Sequence, residues 1–230
     1  AFKLLMKSHK VVDYKACATS AMREATNGSE VVKVIKKKTG VSINIIDGSD
    51  EAAIIANTDL QSLITSDRSY LYVDVGGGST EFTLYSGGEV VASRSFKLGT
   101  VRLLEGLVGH NTWNEVEQWI KEVTEGHKKI DLIGSGGNIN KIFKLSGKKD
   151  GKPLTYFYMV TFYEFIQSYT YEERVTELGL NLDRADVIIP ATRIYLSAMK
   201  WSRSKNIYVP KIGLSDGIIK SLYNDKTQPA

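Results

Sequence analysis

The stretch from Asp74 to Glu81, DVGGGSTE, combines the residue types that can hold a phosphate group. Backbone amides can approach an anion closely at consecutive glycines, because no Cβ atom stands in the way. Hydroxyl donors follow the glycines, and the carboxylates at the two ends are suited to hold a metal ion or a water molecule. We therefore predict metal-ligating roles for Asp74 and Glu81 and phosphate-binding roles for Gly76, Gly77, Gly78, Ser79 and Thr80.

The residues around this glycine loop predict two strands. Apolar and polar residues alternate from Tyr70 to Val75, and an extended pattern resumes after the loop as far as Gly87 and Gly88. Alternation of this kind is typical of strands, so the loop should join two strands rather than open a helix. An ordinary glycine-rich hairpin with a polar tip would give the same pattern, and it is the structural alternative.

A second glycine cluster, GSGGN, occupies positions 134–138. It follows the short apolar run 130–133 and precedes a predicted helix at 139–145. A strand, a turn and a helix in this order present helix N-terminal amides to phosphate. Tight strand–helix turns use glycine anyway, so this cluster is a weak signal by itself, and the two clusters strengthen one another. The phosphate-binding candidates here are Gly136, Gly137 and Asn138.

Two acids, Asp50 and Glu51, stand at the start of a helix that we predict to run to about Ile64. Carboxylates in a first helical turn are stabilised by the helix dipole, and this structural role is sufficient for both. The functional alternative is that one of them faces a substrate as a general base, and periodicity does not choose between them. The predicted buried stripe of this helix comprises Ala52, Ile55, Ala56, Leu60 and Leu63.

Composition excludes several classes of protein. Of the 230 residues, 42% are hydrophobic and 24% are charged, which predicts a soluble, folded protein of one large or two small domains. The single cysteine, Cys17, excludes an internal disulfide and fits a reducing compartment, so we expect a cytoplasmic location. A net charge of +4 suits an anionic ligand but is too small to indicate a nucleic-acid polymer. No apolar run approaches the roughly 18 residues of a membrane helix.

The remaining pattern is that of an α/β protein, with strands and helices mixed along the chain. Predicted strands lie at 14–18, 42–46, 130–133 and 206–209, with a three-stranded antiparallel meander over 70–98. Predicted helices lie at 21–26, 30–38, 50–64, 114–124, 139–145, 161–171, 171–178, 181–197 and about 215–223. Pro190 predicts a kink or a break in the helix that contains it. Trp119 is predicted to lie in the core.

Short segments spread over nearly the whole chain resemble the motifs of one family, and they occur in the same order as in that family. They are ATSAMREATN (18–27), DGSDEA (47–52), DVGGGSTE (74–81), LGTVRL (98–103), GSGGN (134–138), RADVI (184–188) and GLSDG (213–217). The chain resembles the exopolyphosphatase and guanosine pentaphosphate phosphohydrolase family of the actin-like superfamily. The resemblance implies a ribonuclease-H-like fold of the actin-like ATPase type in two lobes, with a phosphate site between them. Residues 1–66 would belong to the first lobe, with a closing helix near 215–223 packed back on it, and residues 67–214 to the second.

The resemblance also implies a reaction. Members hydrolyse the terminal phosphoanhydride of polyphosphate, or the 5′-phosphate of guanosine pentaphosphate, with Mg²⁺. The catalytic glutamate of the family matches Glu51, which would activate the attacking water, and Arg23 would pair with phosphate through its planar fork. The loop at 74–81 would hold the terminal phosphate, and the turn at 134–138 would face it from the second lobe.

The chain departs from the family pattern at two places. Asp50 replaces the first glutamate of the family's acidic pair. The family opens with a strand that carries a D-I-G-S-N type loop, and nothing before Ala18 matches it, so we expect a first lobe that is incomplete at its N-terminus.

Two other functions stay open. An ATP-dependent phosphotransferase of the superfamily also uses paired glycine loops, and a non-catalytic phosphate- or nucleotide-binding module is consistent with the missing loop. The sequence does not choose between polyphosphate and guanosine pentaphosphate as the partner, and it leaves a homodimer open.

Overall fold

The computed structural model describes residues 1–56, 58 and 63–227. The chain divides into two compact units, of which the first comprises Ala1–Thr58 with Leu214–Ala230 and the second comprises Asp59–Gly213. Among the residues that the structure describes, no helix has the length and apolar composition needed to cross a bilayer.

The described elements alternate between strands and helices along the chain. The strands are β1 (Ala16–Ala18), β2 (Ile43–Ile45), β3 (Ser69–Val75), β4 (Thr80–Ser86), β5 (Glu89–Phe96), β6 (Ile130–Ser135), β7 (Leu154–Thr155) and β8 (Asn206–Tyr208). The helices are α1 (Phe2–Ser8), α2 (Ser20–Glu24), α3 (Gly28–Thr39), α4 (Gly48–Ala56), α5 (Thr100–Leu104), α6 (His110–Thr124), α7 (Gly137–Leu145), α8 (Tyr156–Gln167), α9 (Tyr171–Thr176), α10 (Leu182–Ala185), α11 (Ile188–Trp201) and α12 (Leu214–Thr227).

The first unit contains residues from both ends of the chain. Its strands β1 and β2 pair in parallel, with Ala16 opposite Ile43. Helix α12 packs against α4 at Gly217, where a Cβ atom would overlap the carbonyl oxygen of Ile54 and lie 2.7 Å from its Cγ2 atom. Glycine at this position therefore allows the two helices to approach each other closely.

Substitution of Gly217 should destabilise the first unit. Alanine is the better helix former by about 1 kcal/mol, so propensity alone would stabilise α12. The overlap with Ile54 reverses the sign, and we expect Gly217→Ala to lower the free energy of unfolding by about 1–3 kcal/mol. Urea unfolding measures the effect, with Asn224→Ala on the exposed side of α12 as the control. Equal midpoints for Gly217→Ala and wild type would contradict this account of the packing.

The second unit is built on a six-stranded sheet of order β5-β4-β3-β6-β8-β7. Strands β3, β4 and β5 form an antiparallel meander, which confirms the predicted meander and the predicted strand–loop–strand connection. Strand β6 pairs with β3 in parallel, so that Asp74 lies opposite Ser135. The two glycine clusters therefore follow neighbouring strands at the same edge of the sheet.

One face of this sheet carries the core. Leu71, Val73, Phe82 and Leu132 are fully buried there and belong to one hydrophobic cluster with residues of α6, α7, α8 and α11. The ring of Trp119 lies 6.2 Å from that of Phe82, centroid to centroid. Trp119 is partly buried and packs against this cluster, so it lies at the margin of the core rather than within it.

Several predicted helix boundaries are wrong, most clearly those of α4 and α8. Helix α4 ends at Ala56, because the amide and the hydroxyl of Thr58 both donate to the carbonyl oxygen of Ile55, at 3.0 and 2.7 Å. Leu63 and Ile64 are not helical, and Leu60 of the predicted stripe lies outside the described residues, whereas Ile55 is buried. Helix α8 begins at Tyr156 rather than at 161, because the side chain of Thr155 caps it by accepting from the Tyr158 amide at 3.2 Å.

The helix predicted over 181–197 is divided in two. Helix α10 ends at Ala185, whose carbonyl oxygen accepts from the Arg174 guanidinium at 2.8 Å, and α11 begins at Ile188. Pro190 lies in the first turn of α11, where a missing amide hydrogen costs nothing. The predicted break therefore occurs before the proline.

Strand β4 buries a tyrosine with an unusual environment. The Tyr85 hydroxyl has no hydrogen-bond partner among the described residues, and burial raises the pKa of Tyr85 from 10.0 to about 12. A buried hydroxyl without a partner costs about 1–3 kcal/mol, so Tyr85→Phe should be at least as stable as wild type at neutral pH.

The same substitution should change the response of stability to alkaline pH. An unfolded tyrosine ionises near pH 10, but folded Tyr85 resists ionisation until about pH 12. Because the unfolded chain releases this proton first, the free energy of unfolding is unaffected by Tyr85 ionisation below pH 10 and falls as the pH rises toward 12. Urea unfolding across this range should show a shallower decline for Tyr85→Phe than for wild type or for the exposed control Tyr223→Phe. Identical declines in all three proteins would contradict the assignment.

Candidate functional site

The glycine loop between β3 and β4 has its carbonyl groups fixed from one side. The amide of Gly76 closes the turn by donating to the carbonyl oxygen of Ser79 at 2.9 Å. The carbonyl oxygens of Gly76 and Gly77 accept from the amides of Thr100 and Val101, at 3.0 and 2.9 Å. These donors are the first residues of α5, so the N-terminus of that helix holds the loop.

The backbone amides of residues 77–79 are not used in holding the loop. Within the described residues, the amides of Gly77, Gly78 and Ser79 have no hydrogen-bond acceptor in the protein. Gly77 is exposed. Successive unpaired amides in a turn can form an anion-binding concavity, so the loop offers donors that suit a phosphate group.

The two carboxylates of the loop lie directly opposite each other on β3 and β4 and share one face of the sheet. Glu81 is buried, and its Oε1 atom accepts from the hydroxyls of Ser79 and Ser95 at 2.6 and 2.9 Å. Glu81 therefore orients the Ser79 hydroxyl. Asp74 is half-buried at the end of β3.

Asp74 also borders the second glycine cluster. Gly136 has a φ of +106°, and a Cβ atom there would lie 3.3 Å from Asp74 Oδ1 and 3.2 Å from the Val75 carbonyl oxygen. A side chain at this position would therefore crowd the Asp74 carboxylate. The two predicted clusters are thus brought together within the second unit.

Two buried tyrosines lie near the Asp74 charge. Burial raises the pKa of Tyr72 and of Tyr195, and the negative charge of Asp74 raises both further. The hydroxyl of Tyr195 donates to the carbonyl oxygen of Ser135. Both phenols therefore stay protonated at neutral pH.

These residues fit a magnesium ion only if the substrate completes its coordination. The described residues contain no group of three or more histidine, cysteine, aspartate or glutamate side chains that could hold a metal. Magnesium in phosphate sites is commonly held by one or two carboxylates together with phosphate oxygens and waters. Asp74, half-buried beside Gly136, fits such a carboxylate, and Glu81 fits through Oε2, because both serine hydroxyls donate to Oε1.

Arg184 lies over the second glycine turn. Its guanidinium donates from Nη1 to Asn138 Oδ1 at 3.3 Å, and a Cβ atom on Gly137 would lie 2.7 Å from its Nη2 atom. Arginine presents a planar fork that matches phosphate oxygens. The site residues chosen from the sequence did not include Arg184, and its place in the segment RADVI was the signal that could have found it.

The first unit brings together the other two predicted residues. Arg23 donates from Nη1 to Glu51 Oε1 at 3.0 Å and to the carbonyl oxygen of Ile46 at 2.7 Å. Glu51 is buried at the start of α4, whereas Asp50 is exposed. The structure therefore distinguishes two neighbouring acids that helical periodicity could not.

The model of the Ppx/GppA phosphatase family matches residues 1–226. The chain belongs to this family. A solved family member from Aquifex aeolicus covers 99% of the chain with a TM-score of 0.77 and 25% identity, and the chain covers 79% of that protein. This match, together with the mixed sheet and helices, confirms the predicted α/β class and the actin-like type of fold.

Two relatives of known name are longer than this chain. A bifunctional 3-dehydroquinate synthase/phosphatase from Fusobacterium nucleatum is 34% identical over 161 residues, which are 59% of this chain and 24% of that protein. Exopolyphosphatase 1 from Mycobacterium leprae is 22% identical over 238 residues, covering 95% of this chain and 70% of that protein. The chain therefore spans about a quarter of the first relative and about seven tenths of the second.

Proposed function

We propose that the protein to which this chain belongs hydrolyses the terminal phosphoanhydride of inorganic polyphosphate or the 5′-phosphate of guanosine pentaphosphate. The observation that carries the proposal is the glycine loop after β3. Its carbonyl groups are held by α5, its amides at 77–79 have no acceptor among the described residues, and two carboxylates border it. This arrangement suits the terminal phosphate of a chain of phosphates.

Glu51 would act as the general base. It takes a proton from a water molecule while the water oxygen attacks the terminal phosphorus. The bond from that phosphorus to the bridging oxygen breaks, and the shortened chain leaves with the bridging oxygen. Arg23 holds the Glu51 carboxylate through Nη1, and its remaining donors would pair with phosphate oxygens.

The loops would supply binding and charge neutralisation in the second unit. The amides at 77–79 would hold the terminal phosphate, and Arg184 would neutralise charge at the turn of Gly136, Gly137 and Asn138. The predicted donor roles of the Ser79 and Thr80 hydroxyls are not part of this proposal, because these hydroxyls donate to Glu81 Oε1 and to the carbonyl oxygen of Leu98. A Mg²⁺ ion, when bound, would offset the charge that develops on the phosphate oxygens. Asp74 and the Oε2 atom of Glu81 would hold it.

The relatives support this class of reaction. One of them is named an exopolyphosphatase, and another joins a phosphatase to a 3-dehydroquinate synthase. Guanosine pentaphosphate is included as a substrate because the sequence motifs resemble those of the family.

Phosphate release tests the proposal. The full-length protein is incubated with polyphosphate or with guanosine pentaphosphate, with Mg²⁺ or with a chelator, and inorganic phosphate is measured. We expect magnesium-dependent release from at least one substrate. Binding of both substrates without release would contradict the proposal and favour a phosphate-binding module. Phosphate transfer from ATP to an acceptor, without release, would favour a phosphotransferase.

A further inference from the structure

Arg102 contacts the glycine loop through its side chain. Its Nε atom donates to the carbonyl oxygen of Gly78 at 2.7 Å. Arg102 lies on α5, whose first amides already hold the carbonyl groups of Gly76 and Gly77. Three successive carbonyl groups of the loop are therefore bound from the same side, two by backbone amides and one by this side chain.

The orientation of each carbonyl group determines the direction in which the amide of the next residue points. In a trans peptide plane the C=O bond of one residue and the N–H bond of the next point in opposite directions. Holding the carbonyl group of Gly78 toward α5 therefore directs the amide of Ser79 away from it. That amide is the last of the three that have no acceptor among the described residues.

The segment before Arg102 is in unusually close contact with the loop. A Cβ atom on Gly99 would overlap the Gly77 carbonyl group and lie 2.5 Å from the carbonyl carbon of Gly78. The hydroxyl of Thr80 donates to the carbonyl oxygen of Leu98. The loop and this segment therefore form one packed unit. Among the described residues, the carbonyl oxygen of Gly78 accepts from the Arg102 side chain and from no backbone amide.

We propose that Arg102 is a positioning residue that fixes the Gly78–Ser79 peptide and so sets the affinity of the loop for a terminal phosphate. Glycine at 78 has little conformational preference of its own, so without Arg102 the Gly78 carbonyl group loses the donor that orients it. The role requires the directed Nε–H donor, which lysine lacks, rather than positive charge alone. The inference rests on the proposed function, since it assigns the loop to phosphate, but it concerns binding and not hydrolysis.

Binding measurements on matched variants test it. Tripolyphosphate binding is measured by titration calorimetry with a chelator present, for wild type, Arg102→Ala, Arg102→Lys and Arg94→Ala. Arg94 is the control because it is exposed on neighbouring β5 and stacks on Phe96, with 4.6 Å from its Cζ atom to the ring centroid. We expect both Arg102 variants to bind about 10- to 100-fold more weakly, as for a lost charge-assisted hydrogen bond, and Arg94→Ala to bind within about twofold of wild type. Added guanidinium ion should restore part of the affinity of Arg102→Ala but not of Arg102→Lys.

Wild-type affinity in Arg102→Lys would overturn the proposal, and so would an equal loss in Arg94→Ala. Thermal unfolding checks that the variants are folded. If they are not, amide NMR of the wild-type protein supplies the answer, because tripolyphosphate should shift the Ser79 resonance, and an unmoved resonance would overturn the proposal. A wild-type protein that binds tripolyphosphate but releases no phosphate would contradict the proposed function and leave this inference intact.

Discussion

Replacing Glu51 by glutamine is expected to lower the turnover number of the full-length protein by about 10²- to 10⁴-fold, which is the usual contribution of a positioned general base. Glutamine keeps the shape of the side chain and can still accept from Arg23, but it cannot take a proton from water. The dissociation constant for tripolyphosphate should therefore change by less than about threefold, because the loss falls on the chemical step. Phosphate release under saturating substrate measures the first quantity, and titration calorimetry measures the second.

The neighbouring acid provides the matched control for this experiment. Asp50 is exposed, and its amide, rather than its carboxylate, is fixed by the side chain of Asp47 at 2.8 Å. Asp50→Asn removes the same charge from the same helical turn and should leave turnover within about twofold of wild type, as is usual for a surface substitution. Similar losses in Asp50→Asn and Glu51→Gln would show that the charge of the helix start matters, and they would contradict the role of Glu51.

Replacing Asp74 by asparagine is expected to have the second large effect, a fall of about 10²- to 10³-fold in kcat/KM, because one charged stabiliser of the transition state is lost. The concentration of Mg²⁺ that gives half-maximal rate should rise as well, since a carboxylate is a far better ligand for this ion than an amide. A magnesium titration of the initial rate measures both quantities.

The same variant has a readout that needs no activity. The charge of Asp74 raises the pKa of Tyr72 and of Tyr195, so its removal should lower the pH at which these phenols ionise. Ultraviolet titration of tyrosine detects that shift. Glu164→Gln, at an exposed position of α8, is the control and should change neither the rate nor the magnesium dependence. Unchanged magnesium dependence in Asp74→Asn would contradict the assignment of Asp74 to the metal.

The sequence predicts the glycine loop well because all the relevant information is local. Alternating residues on both sides of the segment 74–81 indicate strands, and the observed loop joins β3 to β4. The proximity of the second cluster, 134–138, was not predictable from spacing alone, because it depends on the parallel pairing of β3 with β6 across the chain. The family resemblance supplied that expectation instead.

Other parts of the site depend on contacts between distant residues, which no local pattern encodes. Arg184 reaches Asn138 from 46 positions along the chain, and Arg102 reaches Gly78 from 24 positions. The choice between Asp50 and Glu51 likewise depends on Arg23, which lies in a different helix. The incorrectly predicted end of α4 has a local cause instead, because Thr58 donates to the carbonyl oxygen of Ile55 three residues before it, whereas the helical pattern continues in the sequence.

Hydrolysis in water enriched in ¹⁸O is the measurement that tests the central claim most directly. Polyphosphate and guanosine pentaphosphate are each treated with the full-length protein and Mg²⁺, and the products are separated and analysed by mass spectrometry. If water attacks the terminal phosphorus, the released inorganic phosphate carries one ¹⁸O atom and the shortened product carries none. Label in the shortened product, or no labelled inorganic phosphate from either substrate, would contradict the account.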